Sequence, residues 1–259
     1  MPRHSFRQGR RESASSNDLI FGLNPVLEAL RVAPDTLEKM YVARGVQAAD
    51  RLVAQARALG VVVEMTERDV LDRMTAGGHH QGAAVRTKPF CFVAIEDLLR
   101  RAPALLVALD GITDPQNLGA IVRSAEVLGA GGVVLPKDRN AGVTPAVVRA
   151  SSGAAVHLPV AQVVNLVRAL DLIKQAGYWI VGLDAAGWSR FQDLPRFERA
   201  VIVIGGEGKG MRPLVARACD FTVAIPVRGR VSSLNAAAAA AIALHELASR
   251  LPSKATEPG

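Results

Sequence analysis

The chain has 259 residues, 49% of them hydrophobic, enough to bury a sizeable core and to mark a globular protein. Its 31 Lys and Arg outweigh 24 Asp and Glu for a net charge of +7, an excess that attracts polyanions and puts nucleic acid first among partners. Cys91 and Cys219 stand far apart with no second ligand pair nearby, which suggests neither a disulfide framework nor a zinc site. With no apolar run of about 18 residues and no apolar secretory leader, the expectation is a cytoplasmic protein without a membrane partner.

Residues 1–18 read as a basic tail. Arg3, Arg7, Arg10 and Arg11 stand among serines with a single Glu, a composition shared by mitochondrial transit peptides and disordered RNA-binding arms; the near absence of an apolar face favours an arm. The fold is expected to begin at Ile20, with Asn24 as an N-cap and Pro25 as the first helical residue. The helix should run through Leu30. Next come a strand over Lys39–Ala43, a helix over Ala48–Leu59, a strand over Val61–Met65 and a short helix opened by Thr66 with Asp69 three residues on. Gly77 and Gly78 turn the chain into a last strand, Gly82–Thr87. These elements make residues 19–88 a small α/β module. Residues 89–103, Pro-bounded with a short amphipathic stretch around Ile95–Leu99, read as a linker.

From residue 104 to 252 the pattern changes to apolar strands separated by helices: Leu105–Leu109, Gly132–Leu135, Tyr178–Gly182, Ala200–Ile204 and Phe221–Ile225. Uninterrupted apolar runs predict a parallel sheet buried on both faces. The Ala-rich stretch from Asn235 to about Arg250 predicts a helix of little bulk that can pass close to neighbouring backbone. Residues 253–259 form a short tail.

Three segments place polar groups just after apolar runs, where α/β proteins put ligand sites. In Asp114-Pro-Gln-Asn-Leu-Gly-Ala-Ile-Val-Arg123, Asn117 is read as capping a helix over Leu118–Leu128. Gly119, one turn before Arg123, would leave room for a phosphate or ribose to reach the guanidinium. In Ile204-Gly-Gly-Glu-Gly208 the glycines free the backbone around Glu207 to approach a ligand. The spacing fits neither GxGxxG nor a P-loop, since Gly210 follows Lys209 where Ser or Thr is required. The third segment, Ile225-Pro-Val-Arg-Gly-Arg-Val-Ser-Ser-Leu-Asn235, sets Ser233 and Asn235 at a helix start, whose free N–H groups and positive dipole end suit an anionic ligand. Arg228 and Arg230 read as RNA-phosphate contacts or as ordinary solvated loop residues. His79 and His80 read as RNA contacts or as turn residues before a strand. His245-Glu246 resembles the start of HExxH, but Ser249 stands where the second His belongs.

In order and spacing the three segments resemble the motifs of the SpoU/TrmH family of the SPOUT superfamily, S-adenosylmethionine-dependent RNA 2′-O-ribose methyltransferases. His79-His-Gln-Gly82 and Pro136-Lys-Asp-Arg139 are similar to the branch that modifies guanosine in 23S rRNA, and the likeness covers roughly residues 19–250. The resemblance implies a ribosomal-protein-like substrate-binding domain at residues 19–88 and a SPOUT domain with a deep trefoil knot at residues 104–252. It implies catalytic roles for Asn117, Arg123, Glu207, Ser233 and Asn235. Cofactor contacts are implied for Gly205, Gly206, Glu207, Gly208, Ile225, Pro226 and Leu234, wrapped round a bent S-adenosylmethionine. The resemblance also implies a homodimer with RNA bound across both chains, to which the residue-level reading adds Arg228, Arg230 and His80 as candidate RNA contacts. The chain departs from the family at Ala237, where Ser is frequent; one lost hydrogen bond of about 0.5–1.5 kcal/mol would weaken cofactor binding rather than abolish activity. No GxGxG loop follows Leu105–Leu109, which argues against the doubly wound methyltransferase design. A tRNA-directed enzyme of the same family and a non-catalytic ribosome-assembly factor stay open as alternatives. A small-molecule enzyme would leave the basic charge and the N-terminal module without a role.

Overall fold

A computed structural model describes residues 18–252 apart from 209 and 232. The expected N-terminal arm with its four arginines, and the tail at 253–259, lie outside the described residues. The chain divides into two compact units, one formed by the described residues up to Leu30 with Leu37–Pro89, the other by Arg31–Thr36 with the chain from Phe90 onward.

The first unit is built from β1 (Leu19–Phe21), α1 (Leu23–Val32), β2 (Leu37–Ala43), α2 (Asp50–Ala58), β3 (Val62–Thr66), α3 (Arg68–Met74) and β4 (Ala83–Thr87). Its sheet runs β1-β4-β2-β3, with β2 parallel to β3 and the other pairs antiparallel. Alternation along β2 sorts the core. Met40 and Val42 pack with Val26 and Leu30 of α1 and Leu52 and Ala56 of α2, while Tyr41 and Ala43 pack with Leu71 of α3 on the other face. Two helix starts differ from the sequence reading. Asn24 lies inside α1, whose first turn is closed by the Val26 N–H donating to Gly22 O at 3.0 Å. At α3 the N-cap position belongs to Glu67, without a side-chain capping bond.

The second unit contains α4 (Ile95–Arg100), β5 (Leu105–Asp110), α5 (Pro115–Val127), β6 (Val133–Pro136), α6 (Pro145–Ala150), α7 (Ala154–His157), β7 (Val160–Val163), α8 (Leu166–Gln175), β8 (Trp179–Leu183), β9 (Ala200–Gly205), α9 (Pro213–Ala218), β10 (Phe221–Val223) and α10 (Ala236–Ala248). All strands are parallel, in the order β10-β8-β9-β5-β6-β7. Helices cover both faces, as uninterrupted apolar strands require. Leu105, Val107 and Leu109 point to one side with Leu118, Ile121 and Val122 of α5 and Ala240, Leu244 and Leu247 of α10. Leu106 and Ala108 point to the other, with Leu98 of α4, Leu166, Leu170 and Ile173 of α8 and Val215 of α9. Each such large side chain, fully buried, contributes about 1.5–3 kcal/mol. Residues 89–103, read from the sequence as linker, hold α4, whose Ile95 and Leu98 are buried in this core, and Val93, which bridges to Ala161. No described helix is long and apolar enough to cross a membrane.

Candidate active site

β5 and β9 lie side by side and end together, with Asp110 opposite Gly205. Here the chain makes two turns, one leading into α5 and one running from Gly205 to Gly210. An ion pair with a buried carboxylate and a partly exposed guanidinium joins them. Asp110, with no exposed side-chain surface, accepts from the Arg212 N–H at 2.7 Å and from Arg212 Nε at 2.6 Å. Its own carbonyl accepts from the Gly206 N–H at 2.9 Å. On the other flank Asn140 Oδ1 accepts from the N–H groups of Gly111 and Ile112, both at 2.7 Å. The backbones meet closely: a Cβ on Gly206 would sit 2.1 Å from Gly111 O, and one on Gly205 would sit 2.2 Å from the Gly210 carbonyl carbon. A side chain at either position would collide with the neighbouring turn, so both glycines are needed for this close approach of the chain to itself. Gly208, by contrast, has open space where a side chain would be.

Onto this base the three motifs bring one amide–carboxylate cluster. Asn117 Nδ2 donates to Glu207 Oε1. Asn235 Nδ2 donates to Asn117 Oδ1 at 2.9 Å and, more weakly, to Glu207 Oε1 at 3.4 Å. One carboxylate oxygen thus takes two amide donors, while Oε2 keeps its lone pairs. Asn235 also caps α10, its Oδ1 accepting from the N–H groups of Ala237 at 2.9 Å and Ala238 at 3.3 Å, so capping and clustering share one side chain. Asn117 is not a cap. Asp114 fills that role, accepting from the Gln116 N–H at 3.0 Å, with Pro115 first in the helix; this places Asn117 inside the first turn, largely buried and aimed across at Glu207. Gly111 to Asp114, Asn117 and Glu207 line a depression of about 60 Å³.

Gly119 also serves another purpose than the one expected. Its missing side chain lets α6 approach, for a Cβ there would lie 2.4 Å from Ala150 Cβ and 2.9 Å from the Ser151 N. Arg123, on the same helix, is exposed, and its side chain makes no hydrogen bond or ion pair among the described residues. The same holds for Arg228 and Arg230. Ser233 and Leu234 are exposed just before Asn235, Pro226 is exposed, and Ile225 is half-buried against the core. His80 is elsewhere, in the first unit. It is 3% exposed, its Nε2 pairs with Asp72 Oδ1 at 2.9 Å and its Nδ1 accepts from the Gly82 N–H at 2.9 Å. Both ring nitrogens are engaged within the unit, so the imidazole braces the loop before β4. Cys219 offers no thiolate, because burial, reinforced by Asp220, pushes its thiol up to about 12.

Asp110, Arg212 and Asn140 escaped the sequence reading. A signal existed for Asp110, a carboxylate closing an otherwise apolar buried strand, since Asp is seldom fully buried unless paired.

The sequence profile of the SpoU rRNA Methylase family matches residues 104–245, and that of the RNA 2′-O ribose methyltransferase substrate-binding domain matches residues 19–92. A protein of Mycolicibacterium gilvum named an uncharacterized tRNA/rRNA methyltransferase is 44% identical over 250 residues, covering 93% of this chain and 79% of that one. Among solved structures, the AdoMet-bound rRNA methyltransferase of Sinorhizobium meliloti aligns with a TM-score of 0.67 at 26% identity, covering 91% of this chain and 88% of the other. The SpoU methyltransferase AviRb of Streptomyces viridochromogenes, in complex with AdoMet, aligns with a TM-score of 0.67 at 27% identity, covering 89% of each chain. With both parts of the chain matched in this order, the protein belongs to the SpoU rRNA methylase family.

Proposed function

We propose that the protein methylates a ribose 2′-hydroxyl in RNA with S-adenosylmethionine as donor, and that its substrate is a guanosine of 23S rRNA. The observation that carries this reading is the convergence of Asn117, Glu207 and Asn235, from three separate segments, on one hydrogen-bonded cluster at the strand ends. The residues present suit the cofactor: an open glycine backbone at Gly208 beside a carboxylate, and the apolar Ile225, Pro226 and Leu234 leading into the same cluster. When bound, it supplies an electrophilic sulfonium methyl.

The chain's own groups have separable tasks. Asn117 and Asn235 fix Glu207 through one oxygen, leaving the second to accept from a ribose hydroxyl or a cofactor amine. Arg123, exposed and without a carboxylate partner, holds a substrate phosphate and stabilises charge developing on the 2′-oxygen. A guanidinium is not deprotonated in proteins, so the hydroxyl proton leaves to a phosphate oxygen or water. Ser233 lies two residues before the α10 cap, placed to meet ribose or cofactor, and Arg228 and Arg230 meet the RNA backbone.

The same reading includes a trefoil knot over residues 205–234. The approach of Gly206 to Gly111, followed by return of the chain to pair β10 beyond β8, supports it. It also includes a homodimer, supported by an open face of α10 at Ala238, Ile242 and His245, where Ile242 is 41% exposed.

Transfer of tritiated methyl from S-adenosylmethionine to 23S rRNA transcript, 16S rRNA transcript and bulk tRNA tests the proposal. Alkali-resistant label on 23S rRNA alone, lost in Arg123→Ala, is the expected result. Label on tRNA would move the substrate, and absence of both label and cofactor binding would sink the enzyme reading.

A further inference from the structure

The sequence has two tryptophans, and both belong to one surface cluster that the candidate site does not use. Trp188 is 72% exposed and Trp179 is 48% exposed. Phe221 stands between them, its ring centroid 6.2 Å from Trp188 and 5.8 Å from Trp179. Phe197, almost wholly buried, forms the floor at 6.1 Å from Trp179 and 5.9 Å from Phe221. Trp179 and Phe221 are the first residues of β8 and β10, so the cluster lies toward the end of the sheet opposite the Asn117–Glu207–Asn235 cluster.

Large aromatic side chains normally bury their surface, and a contiguous exposed patch of them marks a binding surface. The charges beside it select the partner. Arg190 and Arg196 are exposed and each lies within two residues of one of these rings, whereas Arg199 is engaged over Tyr178 and with Ala176 O at 3.3 Å. The nearby carboxylates are Glu198 and Asp220, and Asp220 is occupied by Lys174 Nζ at 2.7 Å and by the Ile180 N–H at 2.9 Å. Exposed ring faces beside surplus arginine suit unpaired nucleotides, whose bases stack on the rings while their phosphates meet the guanidiniums. A helical duplex presents no open base faces.

We propose that Trp188, Phe221 and Trp179 form a stacking platform for a single-stranded segment of the RNA substrate, outside the nucleotide that is methylated. This rests on the RNA reading above. The platform adds affinity for flanking RNA and takes no part in methyl transfer.

Because both tryptophans lie in the platform, their emission reports on it directly. Titration with a short unstructured RNA oligonucleotide should quench it, a duplex of the same length should quench it far less, and S-adenosylmethionine alone should leave it nearly unchanged. Trp188→Ala, at an exposed position, should weaken binding of the oligonucleotide about tenfold, within the range for loss of one stacked base. It should raise KM for substrate RNA similarly and leave kcat and cofactor affinity unchanged. Arg190→Ala should weaken binding and lower its salt dependence. Equal quenching by duplex, or an unchanged Kd in Trp188→Ala, would overturn the proposal. So would a shift of Trp188→Ala to a smaller species in light scattering with RNA affinity intact, which would make the patch an interface between copies of the chain. If methyl transfer to every RNA is absent in the unaltered protein while quenching persists, the underlying function fails and the platform stands.

Discussion

Around Asp110 nearly every polar group of the candidate site is tied down, whereas between Ile225 and Leu234 the described side chains are mostly exposed, and Arg228, Arg230 and Ser233 have no hydrogen bond or ion pair among the described residues. The two regions meet at Asn235, which anchors α10 and touches both Asn117 and Glu207. The difference separates two tasks. Groups that set geometry are paired within the chain, with Asp110 and Asn117 also buried, so their removal is felt as instability. Groups left for a ligand are exposed, so their removal is felt only when the ligand is present.

Substitutions can break that division, beginning with the largest expected effect. Arg212→Met leaves the Asp110 carboxylate buried with only a backbone N–H, and should cost about 1–3 kcal/mol of unfolding free energy, read from urea denaturation. A cost below about 0.5 kcal/mol would mean that the pair does not hold the turns. Glu207→Ala should lower the methyl-transfer rate about 100-fold, while the amides left unpaired cost no more than about 1 kcal/mol; parallel rate and denaturation measurements separate these. Gly119→Ala drives a methyl into α6 and should destabilise by about 1–2 kcal/mol after the helix-propensity gain, visible as a lower Tm. Smallest is Arg228→Ala with Arg230→Ala. Stability should stay within about 0.5 kcal/mol of the parent, and the slope of log Kd for RNA against log salt should fall by about 0.7 per lost phosphate contact. A large stability loss there would merge the two regions.

What the sequence disclosed follows the same line. Strands β5, β6, β8, β9 and β10 were legible because burial on both faces writes an apolar run, and the motif residues were legible because polar groups interrupt such runs at their ends. β7 was missed because Gln162 interrupts the apolar run within its four residues. Gly119, Gly205 and Gly206 stand out in the sequence, but what each makes room for does not. A glycine signals that something comes close, and only the folded chain shows that the neighbour is Ala150, Gly210 or Gly111. Asn117 was misplaced as a cap because Asp114-Pro115 supplies an equally good start three residues earlier, freeing the amide for the cluster.

The pairing of β5 with β9 has a consequence for how the molecule is made. Leu105 sits against Ala200 and Asp110 against Gly205, so the middle of the larger sheet cannot close until the segment between them has left the ribosome. Long-range parallel pairing forms slowly, because loop-closure entropy must be overcome before its contacts contribute. The first unit draws its pairs from Leu19–Thr87 and can fold while the rest is still being synthesised. In that interval β5 presents an apolar edge with no partner, and refolding of the larger unit should be the slow phase of the whole protein.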